Sequence, residues 1–103
     1  MYETPVSIAL CTFNGEPYIG DLLDSLRKQA VQPCELAVCD DCSTDSTIEL
    51  QHKFKSIAPF NVNIILNKEH LGVLHNLEVA LSACNEKHIA LCGQDDAWKS
   101  LQG

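Results

Sequence analysis

The chain has 103 residues, of which 46% are hydrophobic and 20% charged, and its formal net charge at pH 7 is −7. This length allows one domain, and the composition is typical of a globular protein. The acidic balance excludes a nonspecific nucleic-acid binder, which needs a basic face. The sequence contains no apolar run of the roughly 18 residues that a membrane span requires and no basic leader of a signal peptide. We therefore expect a cytoplasmic globular domain.

Four short apolar segments are predicted to be strands. Near-continuous apolar runs of this length suit strands that are buried on both faces of a parallel sheet. The segments are Val6–Cys11, Cys34–Cys39, Val62–Leu66 and His88–Cys92.

Three amphipathic segments alternate with these strands and are predicted to be helices. The first begins at Glu16-Pro17, because proline is tolerated at the first helical position. The second begins near Asp45, and Ser46 and Glu49 have the spacing of a capping box. The third follows directly after a glycine, Gly72. Their apolar stripes consist of Ile19, Leu22, Leu23, Leu26 and Ala30 in the first, Ile48, Phe54 and Ile57 in the second, and Val73, Leu77, Ala80, Leu81 and Cys84 in the third.

The order of elements, β-α-β-α-β-α-β, predicts an α/β fold with a mainly parallel four-stranded sheet and helices on both faces. Ligands of such open sheets bind beyond the carboxyl ends of the strands. Two acidic pairs, Asp40-Asp41 and Asp95-Asp96, follow the second and fourth predicted strands. Clustered carboxylates repel one another unless a cation neutralises them, and Mg²⁺ or Mn²⁺ prefers such oxygen ligands. The alternative is that these carboxylates are solvated or cap helices.

Four motifs carry a resemblance, and they cover almost the whole chain: VSIALCTFNG, ELAVCDDCSTDST, LNKEHLGVLHNLEVAL and IALCGQDDAW. Together they resemble the nucleotide-binding half of a family 2 glycosyltransferase, whose GT-A fold is Rossmann-like. LGVLHN with QDDAW further resembles the bacterial rhamnosyltransferase-like members, which make surface polysaccharides. The resemblance implies an inverting transfer of sugar from a nucleoside-diphosphate donor, a dTDP- or UDP-sugar, to a glycan acceptor.

The resemblance also implies roles for particular residues. Asp41 would accept the N3–H of a pyrimidine base, a task that suits a carboxylate because charge-assisted hydrogen bonds are strong. Asp96 would bind the divalent metal, Mg²⁺ or Mn²⁺, although Gln94 stands at the first position of the family's D-x-D motif. The residues implied to bind the nucleotide are Thr12, Phe13, Asn14, Asp40, Asp41, Asn76 and Asp95.

The end of the chain bears on activity. The family's catalytic base lies well downstream of the D-x-D motif, among acceptor-binding elements, whereas this chain ends at Gly103, seven residues after Asp96. The resemblance therefore implies that residues 1–103 are a nucleotide-sugar-binding part truncated before the acceptor-binding half, and the catalytic residue is unknown. The alternative is a non-catalytic nucleotide-binding or regulatory domain. We expect an exposed edge of the fourth strand, or an exposed apolar face, and therefore dimerisation or poor solubility.

The cysteines and histidines admit other interpretations. Cys39 and Cys42 have the C-x-x-C spacing of a redox pair or half a zinc site, but zinc would need two further ligands. In the resembling family the position of Cys42 is commonly small, glycine included. Without an export signal, we expect free thiols. The histidines, expected on exposed helix faces or at the starts of elements, are His52, His70, His75 and His88.

Overall fold

The computed structural model describes residues 2–3 and 5–93. The elements in chain order are β1 (Tyr2–Glu3), β2 (Val6–Thr12), α1 (Glu16–Arg27), β3 (Val31–Gln32), β4 (Glu35–Asp40), α2 (Thr47–Ile57), β5 (Asn61–Leu66), α3 (Val73–Ser82) and β6 (His88–Gly93). The four long strands form one parallel sheet in the order β5-β4-β2-β6, and two short strands form a separate parallel pair, β1-β3. This confirms the predicted α/β fold with a parallel four-stranded sheet.

Helices cover both faces of the sheet, as predicted. Successive residues of a strand point to opposite faces, so the apolar runs supply two cores. Ala9 and Cys39 pack with Ala80 of α3 on one face. The larger cluster on the other face contains α1 and Phe54 of α2, and each fully buried aliphatic side chain there contributes about 1.5–3 kcal/mol. Its main members are Ile8, Leu10, Ile19, Leu22, Leu23, Leu26, Leu36, Val38, Phe54 and Val62.

One predicted helix end and one predicted helix cap are wrong, whereas the predicted start of the second helix near Ser46 is confirmed. The first helix was predicted to end near Gln29 but ends at Arg27, because the chain leaves the helix to form β3, which pairs with β1. Ser46 makes no capping hydrogen bond through its side chain at the start of α2. The Asp45 carboxylate accepts the backbone N–H of Thr47 instead, at 3.0 Å, so the expected capping box does not form.

Besides Ala30, which lies beyond the end of α1, two residues that were predicted to lie on apolar helix stripes are exposed. Ile57 is 62% exposed and Val73 is 82% exposed. Ile57 is the last residue of α2 and borders a groove between α1 and α2 rather than the sheet. Asn76, almost one turn after Val73, donates to the backbone oxygen of Cys39 near the end of β4. Val73 therefore lies beyond the ends of the strands, where the sheet does not cover it.

The strand register brings the loops of interest to one edge. Thr12 pairs with Asp40, and Asp40 pairs with Leu66. On the other side of β2, Cys11 pairs with Gly93. The carboxyl ends of all four strands therefore meet at a single edge, called the carboxyl rim below. No helix within residues 2–3 and 5–93 has the length and apolar character needed to cross a lipid bilayer.

Candidate functional site

Asp41 is the centre of the hydrogen-bond network at the carboxyl rim, and it is only 2% exposed. Its Oδ1 accepts hydrogen bonds from Nδ2 of Asn67 at 3.0 Å and from the backbone N–H of Leu71 at 2.7 Å. Its Oδ2 accepts the backbone N–H of Gly72 at 2.9 Å and lies 2.9 Å from Nδ1 of His70. These donors occupy the lone pairs of both carboxylate oxygens.

The charge of Asp41 is set by competition between burial and hydrogen bonding. Burial acts to raise the pKa of this carboxyl, but the hydrogen bonds from Leu71, Asn67 and Gly72 outweigh it, and the pKa lies below its ordinary value. Gly72 adopts φ 87, a left-handed conformation that glycine accepts without steric cost. Asp41 is therefore an ionised carboxylate that holds the loop between β5 and α3.

Asn67, the first residue after β5, links Asp41 to α3. Besides Asp41, its Nδ2 donates to Oδ1 of Asn76 at 2.8 Å, and its Oδ1 accepts the Cys39 thiol at 3.3 Å. Asn76, 3% exposed, donates from Nδ2 to the backbone oxygen of Cys39 at 3.1 Å. Sequence reasoning did not select Asn67. Its signal was available, since it is a polar residue that directly follows a strand at the carboxyl rim.

Asp40 and Thr12 turn their side chains into the protein. Asp40 is fully buried, and its Oδ1 accepts the hydroxyl of Thr12 at 2.6 Å and that of Ser43 at 2.6 Å. Gln51 of α2 donates to the Thr12 hydroxyl at 2.8 Å. These contacts join the first two rim loops to α2. That either residue also contacts a nucleotide stays a prediction.

Asn14 and Phe13 form the exposed part of the first rim loop. Asn14 has φ 48, and its Oδ1 accepts the backbone N–H of Thr44 at 2.7 Å, which ties the first loop to the second. Phe13 is 44% exposed, and its ring centroid lies 4.9 Å from that of His70. The rim therefore presents an aromatic ring that is linked to the Asp41 carboxylate through the His70 ring.

Cys42 follows Asp41 in a left-handed conformation, with φ 65. A residue with a Cβ pays roughly 1–2 kcal/mol there, and glycine does not. We expect Cys42→Gly to raise the free energy of unfolding by about 1 kcal/mol, less the weak contact of its thiol with the Asn67 backbone oxygen. Chemical denaturation measures the change. Cys42→Ala, which keeps the Cβ, is the control; equal stability of the two variants would contradict this account.

The C-x-x-C spacing does not build a reactive site. Cys39 is fully buried, and burial, with the nearby Cys11 thiol, raises its pKa to about 11, so it stays protonated and unreactive. In the portion of the chain that the structure describes, no three His, Cys, Asp or Glu residues converge as metal ligands. The structural interpretation of both cysteines is the better supported one.

The predicted metal-binding segment follows β6 and lies outside the residues that the structure describes. Asp95 and Asp96, together with Gln94, are outside the described residues. β6 ends at Gly93, which pairs with Cys11 of β2, so the described chain reaches the carboxyl rim directly before this segment. The roles of Asp95 and Asp96 stay predictions.

Comparison with known proteins identifies a family for this chain. The family model described as "Glycosyl transferase family 2" matches residues 7–101. An uncharacterised protein of Mycobacterium tuberculosis is 34% identical over 94 residues, which cover 90% of this chain and 27% of that protein. The putative teichuronic acid biosynthesis glycosyltransferase TuaG of Bacillus subtilis is 28% identical over 91% of this chain and 37% of its own length.

A solved glycosyltransferase structure has the same fold as this chain. The crystal structure of Staphylococcus aureus TarS 1–349 in complex with UDP superposes with a TM-score of 0.80 at 31% identity, over 94% of this chain and 28% of that chain. The four-stranded sheet and its helices thus correspond to those of a GT-A glycosyltransferase. The chain spans between 27% and 37% of the length of the relatives named above.

Proposed function

Because the chain belongs to glycosyl transferase family 2, we propose that residues 1–103 form the nucleotide-sugar-binding part of an inverting glycosyltransferase. The observation that carries this proposal is that one side chain at the carboxyl rim, His70, contacts both the Phe13 ring and the ionised Asp41 carboxylate, so these two groups lie on either side of a single ring. An aromatic ring offers a stacking surface for a base, and a carboxylate accepts an imide N–H. The alternative is a nucleotide-binding or regulatory domain that performs no transfer.

The donor is proposed to be a UDP- or dTDP-sugar. Uracil and thymine each carry an N3–H that Asp41 can accept, while Thr12 and Asn14 shape the loop on which the base lies. Asn76 acts through Asn67 to hold Asp41 in place. The UDP bound in the TarS structure supports uracil. A rhamnosyl donor is a finer prediction, which rests on the LGVLHN and QDDAW motifs alone.

The cofactor is proposed to be Mg²⁺ or Mn²⁺, held by Asp96 with Asp95 beside it. The donor set fits such a cation, since adjacent carboxylates are hard oxygen ligands and they follow the strand end at Gly93 on the carboxyl rim. When bound, the metal would stabilise the negative charge that develops on the leaving nucleoside diphosphate. Within this chain, Asp41 and Phe13 would then orient the base.

The acceptor is proposed to be a glycan, and TuaG, which by its name acts in teichuronic acid biosynthesis, supports a surface polysaccharide.

Two copies of the chain are proposed to associate along β6. This strand lies at the edge of the four-stranded sheet, and its Leu91 is 47% exposed. Unprotected strand edges pair with other chains. Light scattering should therefore give the mass of a dimer, and a monomer at all concentrations would contradict the association.

Calorimetric titration with UDP, dTDP, CDP and GDP tests the proposed function. We expect UDP or dTDP to bind in the presence of Mn²⁺ and to lose at least about ten-fold in affinity when the metal is removed. Asp96→Ala should reproduce the effect of metal removal. Asp21→Ala on α1 is the matched control, since it removes an exposed carboxylate away from the rim.

Two outcomes decide between the alternatives. If none of the four nucleotides binds with Mn²⁺ present, the proposal is wrong. If UDP or dTDP binds, release of free sugar from the corresponding nucleotide sugar separates a transferase part from a binding domain.

A further inference from the structure

The Asp41 carboxylate has no vacant acceptor position for a base. Its two oxygens already accept or face donors from Asn67, Leu71, Gly72 and His70. A carboxylate offers only the lone pairs of those two oxygens. A nucleotide whose ring N–H binds Asp41 must therefore displace one of the four donors.

Three of these donors are held in place. The donors of Leu71 and Gly72 are backbone N–H groups of the loop that leads into α3, so neither can leave without moving the main chain. Asn67 is bonded on its other side to Asn76 and to the Cys39 thiol. The His70 side chain is 58% exposed, so a rotation about its side-chain bonds carries it into solvent. His70 is the donor that can leave at the lowest cost.

The imidazole of His70 contacts both groups that are proposed to bind the base, Asp41 and Phe13. Its Nδ1 faces two acceptors, Oδ2 of Asp41 at 2.9 Å and the Asp41 backbone oxygen at 3.4 Å, so Nδ1 carries the hydrogen. Its ring lies 4.9 Å from the Phe13 ring, at an interplanar angle of 53°. The imidazole therefore places a ring N–H on Asp41 and makes a tilted ring contact with Phe13, the same two groups that are proposed to bind the pyrimidine.

We infer that His70 is a built-in competitor for the base: it fills the base position in the nucleotide-free protein and swings out when the nucleotide binds. This inference rests on the proposed function. The displacing group needs an aromatic ring with an N–H at its edge, which uracil and thymine have. Cytosine has an unprotonated N3 and would present a lone pair to an ionised carboxylate. The exchange therefore favours UDP and dTDP over CDP.

His70→Ala removes the competitor and tests the inference by titration with UDP and CDP. We expect the affinity for UDP to rise about five-fold, while CDP binding stays weak. The reason is that the apparent affinity is reduced by the fraction of protein in which His70 fills the base position. His52→Ala, which removes an exposed histidine of α2, is the matched control and should leave both affinities unchanged. Circular dichroism verifies that each variant folds.

A spectroscopic measurement on the unsubstituted protein gives an independent readout. We expect the NMR signals of the His70 ring to move towards those of a solvated imidazole as UDP saturates the protein, while those of His52 stay fixed. Retention of the His70 Nδ1–H hydrogen bond at saturation would overturn the inference, as would equal or weaker UDP binding by His70→Ala. If neither the parent chain nor the variant binds UDP or dTDP, the proposed function fails and this inference fails with it.

Discussion

Asp41→Ala should lower the free energy of unfolding by about 3 kcal/mol. The substitution leaves Asn67, Leu71 and Gly72 without an acceptor, and unpaired buried donors cost roughly 1–3 kcal/mol each before the loop relaxes. Urea denaturation followed by circular dichroism measures the loss. Asp21→Ala, at an exposed position of α1, is the control and should change stability by less than about 0.5 kcal/mol. A loss of the same small size for Asp41→Ala would contradict the structural role of this carboxylate.

The same residue makes stability depend on acid pH. The pKa of Asp41 is lower in the folded chain than its ordinary value, so its contribution is present above the unfolded pKa of about 3.9 and is lost as the pH falls through the folded value. Asp41→Asn does not titrate. Its deficit relative to the parent chain should therefore shrink below about pH 4. Asp24, Glu35 and Asp45 also have lowered pKa values, but they titrate in both proteins and cancel in the difference.

The structural role of Asp41 affects how binding data are interpreted. If an Asp41 variant has a disordered loop between β5 and α3 and no longer binds the nucleotide, two causes are possible. Either a direct contact with the base was removed, or the site lost its structure. The His70 titrations avoid this ambiguity, because His70 is exposed and donates only one of the contacts that hold Asp41. A gain of affinity in His70→Ala could not arise from damage to the fold.

The architecture of the sheet was predictable from the sequence because it depends on patterns that are local in the chain. Runs such as Val6–Cys11 are too apolar and too short for anything but a strand buried on both faces, and the alternation with amphipathic segments determines parallel connections. The ends of the four long strands differ from the predicted ends by one residue at most. The short β1-β3 pair was missed, since strands of two residues leave no periodic signal.

The site was predictable only in part, because its contacts join residues that are distant in sequence. The acidic pair at positions 40 and 41 was recognised from the sequence. Its two members have different roles that the sequence does not reveal: Asp40 points inward and accepts the Thr12 hydroxyl, while Asp41 accepts backbone N–H groups of the loop after β5. Asn67 looks like an ordinary loop residue until its two amide hydrogens are seen to reach Asp41 and Asn76. His70 was expected to be a surface histidine. Its ring is exposed, yet it contacts the central carboxylate.

The side-chain amide of Asn67 links α3 to the carboxylate that is proposed to bind the base. Nδ2 of Asn67 donates to Asp41 and to Asn76 at once, and Asn76 is fixed in turn by the backbone of β4. Neither hydrogen bond can form in good geometry unless the amide is held in one orientation. The two contacts should therefore support each other energetically rather than act independently.

A double-mutant cycle measures this coupling. Asn76→Ala alone should cost about 2 kcal/mol, because it leaves one Asn67 amide hydrogen unpaired in a buried site and removes the bond from Asn76 to the Cys39 backbone oxygen. Combined with Asp41→Ala, the total loss should be smaller than the sum of the two by about 1 kcal/mol, since the first substitution already frees the Asn67 amide. The control cycle pairs Asp41→Ala with Asp21→Ala, whose effects should add within about 0.5 kcal/mol. Strict additivity for Asp41 and Asn76 would mean that Asn67 does not link them, and α3 would then have no part in positioning the carboxylate.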